Sequence, residues 1–176
     1  MFVDLSKKHS TLENKIKNEI QANERLTNEI KVLKSGKDTV RNEIVDAQAR
    51  SMRDNLLFFN LEEGTTDEDR RSEDCRQKIL NFCEYVLEMV DAKSKLKIDR
   101  AHRIGRFRFN KHRPVVVKFN YYHGKIDVKQ RARAKKHSTP IRVADQFPKE
   151  IHDRRRKLIL LMNKCRSEGK NDKLEL

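Results

Sequence analysis

Hydrophobic positions along the chain follow two different periods. Over roughly the first fifty residues, apolar side chains recur at alternating three- and four-residue steps. With Leu5 at heptad position d, the d series runs Leu5, Leu12, Glu19, Leu26, Leu33, Val40, Ala47, and the a series His9, Ile16, Asn23, Ile30, Lys37, Ile44, Ser51. Nine of these fourteen positions are apolar and the positions between them are mostly polar, which is the narrow seam of a coiled coil and not the wider face of a helix packed on a globule. Residues 1–51 are therefore expected to form a coiled coil. Leu12, Ile16, Asn23, Leu26, Ile30, Leu33, Val40 and Ile44 are its candidate oligomerisation residues. Asn23 and Lys37 cost stability at a but reject slipped registers, where they would face leucines. Gly36 costs about 1 kcal/mol against Ala and is expected to loosen the helix locally. Ile at a with Leu at d favours two parallel strands.

Beyond Ser51 the period changes. Leu56 to Leu61 is a short apolar run bounded by Arg53-Asp54 and by the acidic, turn-prone 62–67, and it predicts a buried strand. Ile79, Phe82, Cys83, Val86, Leu87 and Val90 then recur at helical spacing, predicting an amphipathic helix from about Ser72. Ile98 to Ile104 and Pro114 to Phe119 predict two more strands around a basic loop with two phenylalanines, 105–113. Tyr122 to Lys136 predicts a second helix and Ile141 to Val143 a fourth strand. The fold class expected is α+β: a coiled-coil helix, then a βαββαβ, ferredoxin-like domain over 52–147, then a short helical segment in 148–176 with a frayed tail.

Composition and charge sharpen this picture. The chain has 176 residues, 36% hydrophobic and 39% charged, which is too little apolar content for one core through its whole length. Its net charge of +14 is unevenly placed: residues 1–51 carry 10 basic and 8 acidic side chains, 52–97 carry 8 and 11, and 98–176 carry 23 and 8. The excess lies in the last segment, as a polyanion-binding region requires. No run approaches the roughly 18 apolar residues of a membrane span, and Met1 to Lys8 lacks the apolar stretch of a signal peptide, so a soluble intracellular protein without a membrane partner is expected. Cys75, Cys83 and Cys165 form no C-x-x-C pair and sit among apolar residues, which predicts buried, unpaired thiols. His102 has no second ligand at metal spacing, so neither metal nor cofactor is expected. Glu62, Glu63, Asp67, Glu68 and Asp69 read as a solvated acidic loop.

The βαββαβ order hosts many activities. RNA-recognition modules are its best-known basic members, and they bind single strands on an open sheet face. The first strand has the shape of their shorter motif, but Leu57 stands where an aromatic is usual; in the third strand Pro114 and Val116 occupy the stacking positions. Affinity should therefore come mainly from Arg and Lys reaching phosphates.

Asp99-Arg100-Ala101-His102-Arg103-Ile104-Gly105-Arg106, then Arg113-Pro114-Val115-Val116-Val117-Lys118-Phe119, then Thr139-Pro140-Ile141-Arg142-Val143-Ala144-Asp145-Gln146-Phe147 resembles the RNA-binding protein encoded by the first open reading frame of long interspersed element (LINE) retrotransposons, over about residues 53–165. The resemblance implies a trimeric coiled coil, against the dimer of the packing rule. It also implies a non-standard RNA-recognition motif domain, nucleic acid chaperone activity in a ribonucleoprotein serving transposition, and a C-terminal domain longer than 148–176 supplies, so that part is expected to be partial. By position it carries RNA contacts to Arg100, Arg103, Arg106, Lys118 and Arg142, and to the adjacent Arg155-Arg156 with Arg154 beside them.

The residues themselves add Arg108, which alternates with Phe107 and Phe109 in the basic loop, and Arg131 and Arg133 near the end of the second helix with Lys135 and Lys136, where helix capping is the competing explanation. Tyr121 and Tyr122 either stack on bases or anchor that helix. The expected function is a non-enzymatic homo-oligomer binding single-stranded RNA, with DNA as the alternative, in a cytoplasmic particle; the 154–157 basic run also has the composition of a nuclear-localisation patch. The competing reading is a coiled-coil scaffold or regulator, a domesticated copy whose basic domain binds DNA or acidic proteins. No phosphate loop, H-E-x-x-H or nucleophile elbow supports an enzyme.

Overall fold

The computed structural model describes residues 2–169, with side-chain surroundings from residue 7 onward. The side-chain surroundings of the seam position Leu5, and the tail from 170, lie outside what is described. The chain divides into two compact units, Met1–Asp46 and Ala47–Leu176.

The first unit belongs to one helix, α1 (Phe2–Ser51). It runs unbroken through Gly36. Thr11, Thr27 and Thr39 donate their hydroxyls to the carbonyls of Lys7, Asn23 and Ser35, so these poor helix formers are satisfied inside the helix. Leu12, Ile16, Leu26, Ile30, Leu33, Val40 and Ile44 are each at least half exposed, and Asn23 is exposed in the same seam.

The second unit is mixed α+β. Its elements are β1 (Asn55–Phe59), α2 (Asp67–Arg71), α3 (Cys75–Asn81), a π-helical turn (Phe82–Val86), α4 (Ala92–Lys95), β2 (Ile98–Arg103), β3 (Val115–Phe119), α5 (Tyr122–Ala134), β4 (Arg142–Asp145) and α6 (Lys149–Ser167). The four strands form one sheet in the order β2-β3-β1-β4, each neighbour antiparallel. Strand side chains alternate between faces. Leu56 and Phe58 of β1 and Val115, Val117 and Phe119 of β3 enter the core with Ile79, Phe82, Cys83 and Leu87, and with Val128 and Ala132 of α5.

Several boundaries differ from expectation for identifiable reasons. β1 stops at Phe59 because Asn60 takes a left-handed φ of 62°, a conformation Asn tolerates, and donates its amide to the Pro140 carbonyl. Part of the expected acidic loop is the short helix α2, where the Thr66 hydroxyl accepts from the Asp69 N–H and Asp67, Glu68 and Asp69 occupy the first turn. α3 begins after Asp74, whose carboxylate caps the Gln77 N–H, and not near Ser72. The π turn then adds a residue to the helical repeat, with Leu87 N–H bonded to the Phe82 carbonyl. It brings Leu87 and Met89 inward and leaves Val86 and Val90 exposed, although their spacing suggested the core.

Candidate nucleic-acid interface

The site begins with one extra residue in β2. Ile98 pairs with Phe119, but Arg100 pairs with Lys118, so the register shifts at Asp99. Such a bulge reverses which face every later side chain takes. Without it, Arg100 would share the core face with Ile98. With it, Arg100 and His102 lie on the open face opposite Lys118 and Val116, whereas Ala101 and Arg103 turn to the core side opposite Val117 and Val115.

The pairing carries this open face across the sheet. Lys118 stands opposite Asn55, Val116 opposite Leu57, Leu57 opposite Ala144, and Phe59 opposite Arg142. Arg100, His102 and Arg142 are exposed and Lys118 is half-buried. Lys118 forms an ion pair with Asp99, on the bulge itself, at 3.3 Å. The Arg142 guanidinium stacks over the Phe59 ring, 4.5 Å from its centre. The aromatic on this face is thus Phe59, and Leu57 and Val116 hold the central positions. Arg100, His102 and Lys118 lie together on the β2–β3 side of this face, and Arg142 lies on the same face at the opposite edge, on β4.

Arg103 must be withdrawn from the phosphate-contact set. Its side chain is only 4% exposed, and Glu73 takes its Nη2 at 2.6 Å and its Nε at 2.7 Å. The remaining donors go to the carbonyls of Leu61, Glu62 and Arg113. No donor geometry is left for a phosphate. Lys78 also pairs with Glu73, at 2.7 Å. Burial alone would raise the Glu73 carboxyl, but the hydrogen bonds and charges of Arg103 and Lys78 outweigh it and hold the group at about 2. Glu63, expected in a solvated loop, is instead buried and clamped by Arg113 through the backbone N–H at 2.9 Å and the guanidinium Nε at 2.7 Å. There too the Arg113 bonds overcome the effect of burial and lower the carboxyl.

The other candidates fall in three places. Arg106 and Arg108 are exposed on the loop between β2 and β3, which is closed by a bridge between Arg108 and Lys111. Its Phe107 is covered by the Arg70 guanidinium at 3.8 Å, and Phe109 is 91% exposed. Arg131 and Arg133 are exposed on α5, whose Val128 and Ala132 pack on the core face, so they do not join the open-face group. Arg131 reaches the Glu88 carbonyl and Lys135 pairs with the Glu88 carboxylate at 2.5 Å, so part of this cluster is tied within the chain. Arg155 and Arg156 are exposed on α6 with Arg154, and Arg155 stacks on Phe147, 4.7 Å from the ring centre. Tyr121 and Tyr122 are exposed at the start of α5.

Cys75 and Cys83 are buried free thiols, and burial pushes Cys83 up to about 12. Cys165, also expected to be buried, is only half-buried on α6, where Leu158 and Leu161 are exposed. Among the described residues no group of three or more His, Cys, Asp or Glu side chains could hold a metal ion, and no helix is long and apolar enough to cross a membrane.

Sequence reasoning missed Phe59, Asn55 and Gln146 on the open face. Period-two alternation within Leu56 to Phe59 could have placed Phe59. The Asn55–Gln146 amide pair joins residues 91 positions apart, for which no local signal exists. No protein-family model matches the chain, and no curated protein matches it significantly.

Proposed function

We propose that the chain is a non-enzymatic, self-associating protein that binds single-stranded RNA across the open face of a ferredoxin-like, RNA-recognition-type domain, as a chaperone in a LINE-type ribonucleoprotein. The observation that carries this reading is that Arg100, Lys118, His102 and, at the opposite edge, Arg142 all lie on one sheet face, opposite the face that holds the core. The order β2-β3-β1-β4 with antiparallel neighbours supports the domain type. With Leu57 and Val116 at the centre and Phe59 already under Arg142, base stacking contributes little, and phosphate contacts dominate. The exposed seam of α1 supports self-association, since apolar side chains in a polar helix gain by pairing with a second seam. Two or three copies would bring the basic segments together, about +30 to +45 in all, so that weak single-domain contacts add through multivalency.

The test is a filter-binding titration of the full chain against single- and double-stranded RNA at two salt concentrations, with mass measured by light scattering. Tight binding to the single strand that weakens steeply with salt is expected, with a logarithmic slope of about −0.7 per phosphate neutralised. Salt-insensitive or absent binding would overturn the reading, and a monomeric mass would remove its oligomeric part.

A further inference from the structure

We propose that a small cavity on the open face reads one nucleobase, with Asn55 and Gln146 offering a hydrogen-bond acceptor and a donor to the base edge. This rests on the open face being the single-strand interface, and adds that the domain senses bases as well as phosphates. The cavity measures about 260 Å³, and its wall includes Met52, Asn55, Arg100, His102, Val116, Lys118 and Gln146. That is smaller than the usual site for a drug-sized ligand and suits a group of one or two rings.

Asn55 is 7% exposed, and its Nδ2 donates to Gln146 Oε1 at 2.8 Å, whereas its Oδ1 is buried without any partner. A buried amide oxygen left unpaired is costly, so native proteins leave few of them without a reason. Turning both amides over does not remove the problem: one bond remains inside the pair, one Asn55 atom remains unpaired, and the pair still presents one donor and one acceptor. A phosphate carries acceptors only and cannot satisfy both the donor and the acceptor of the pair, whichever amide holds which. A base edge sets N–H donors beside acceptors and can. Arg100 and Lys118 in the same wall suit the flanking phosphates, and Val116 and Met52 suit the ring faces. Because Asn55 Oδ1 exposes almost no surface in the free protein, a base must move a wall side chain to reach it. Met52, unbranched and half-buried, is the adaptable one.

The test compares the full chain's affinity, by fluorescence anisotropy at fixed salt, for labelled oligo(U), oligo(A), oligo(C) and an abasic ribose-phosphate strand, each of about 12 nucleotides. Base-bearing strands are expected to bind about tenfold tighter than the abasic one, with differences among the bases. Gln146→Ala and Asn55→Ala should erase most of that advantage and leave the salt slope unchanged. Gln146 is half-buried, so its variant is the safer one; far-UV circular dichroism checks both folds, and should Asn55→Ala unfold, the Gln146 variant and the abasic comparison decide. Equal, salt-sensitive binding of all four strands would overturn the base site and leave the phosphate interface standing. Base discrimination that persists in the folded variants would also overturn it. Binding to no strand at all would overturn the interface, and this site with it.

Discussion

On the core side of the sheet, Arg103 engages Glu73 and three backbone carbonyls and is sealed from solvent. On the open side, Arg100 from the same strand is exposed beside Lys118 and makes no ion pair among the described residues. Both arginines sit in one basic motif and are chemically identical. Three positions apart, they alternate onto opposite faces, and the bulge at Asp99, ahead of both, decides which of the two turns outward. A cation's role in this domain is therefore set by strand parity, and net charge overstates the number of groups free for a polyanion. Arg113, Lys78, Lys125 and Lys129 are also taken up within the chain, the last two by Asp145 at 2.9 and 2.6 Å.

The largest effect is expected from truncating the enclosed arginine. Arg103→Ala leaves the Glu73 carboxylate in the core-side wall with only Lys78 as cation, and removes donors from three carbonyls. Breaking a buried pair from one side costs about 3–5 kcal/mol. Chemical denaturation of the variant should show a loss of that order, and any fall in RNA affinity should follow the fraction folded. A stable Arg103→Ala protein with weakened binding would return Arg103 to the interface.

The same comparison explains what could be read from the chain beforehand. The long helix and the four strands appear within a few residues of where the apolar patterning places them. Lys118 and Arg142 lie beside ordinary alternation and share the sheet face opposite the core. Alternation puts Arg100 and Arg103 on opposite faces, but counted from Ile98 it sends the wrong one to the core, because a bulge has no local signature here; the π turn after α3 likewise broke the helical count that put Val86 and Val90 in the core. Glu63 looked like a solvated acid because its partner, Arg113, lies 50 positions away.

A milder perturbation uses pH to open the core-side network without changing a residue. Glu73 sits at about 2 in the folded chain, below its ordinary value of 4.5, and Glu63 is lowered as well. Between those values the unfolded carboxyl binds more protons than the folded one, so stability rises with pH. The contribution is complete above about pH 4.5 and is lost as pH falls toward 2. Thermal melts of the wild type should therefore decline over that window, and Glu73→Gln, already weaker at pH 7, should decline less steeply. Parallel decline in both proteins would mean the Arg103–Glu73 pair does not govern acid stability.

The smallest effect on the fold, and the most telling for function, is expected from Arg100→Ala. The side chain is exposed and holds no partner whose loss would leave a buried group unsatisfied, so stability should stay within about 0.5 kcal/mol of wild type. If Arg100 meets a phosphate, affinity for single-stranded RNA should fall several-fold at low salt, and the salt slope should shrink by about 0.7, the release of one counterion equivalent. Arg100→Lys should restore most of the slope, because a phosphate contact needs charge more than a planar fork. An unchanged slope in a folded Arg100→Ala protein would mean that the bulge at Asp99 turns this arginine outward without giving it to RNA, and that the interface lies with the cations of the β2–β3 loop or α6.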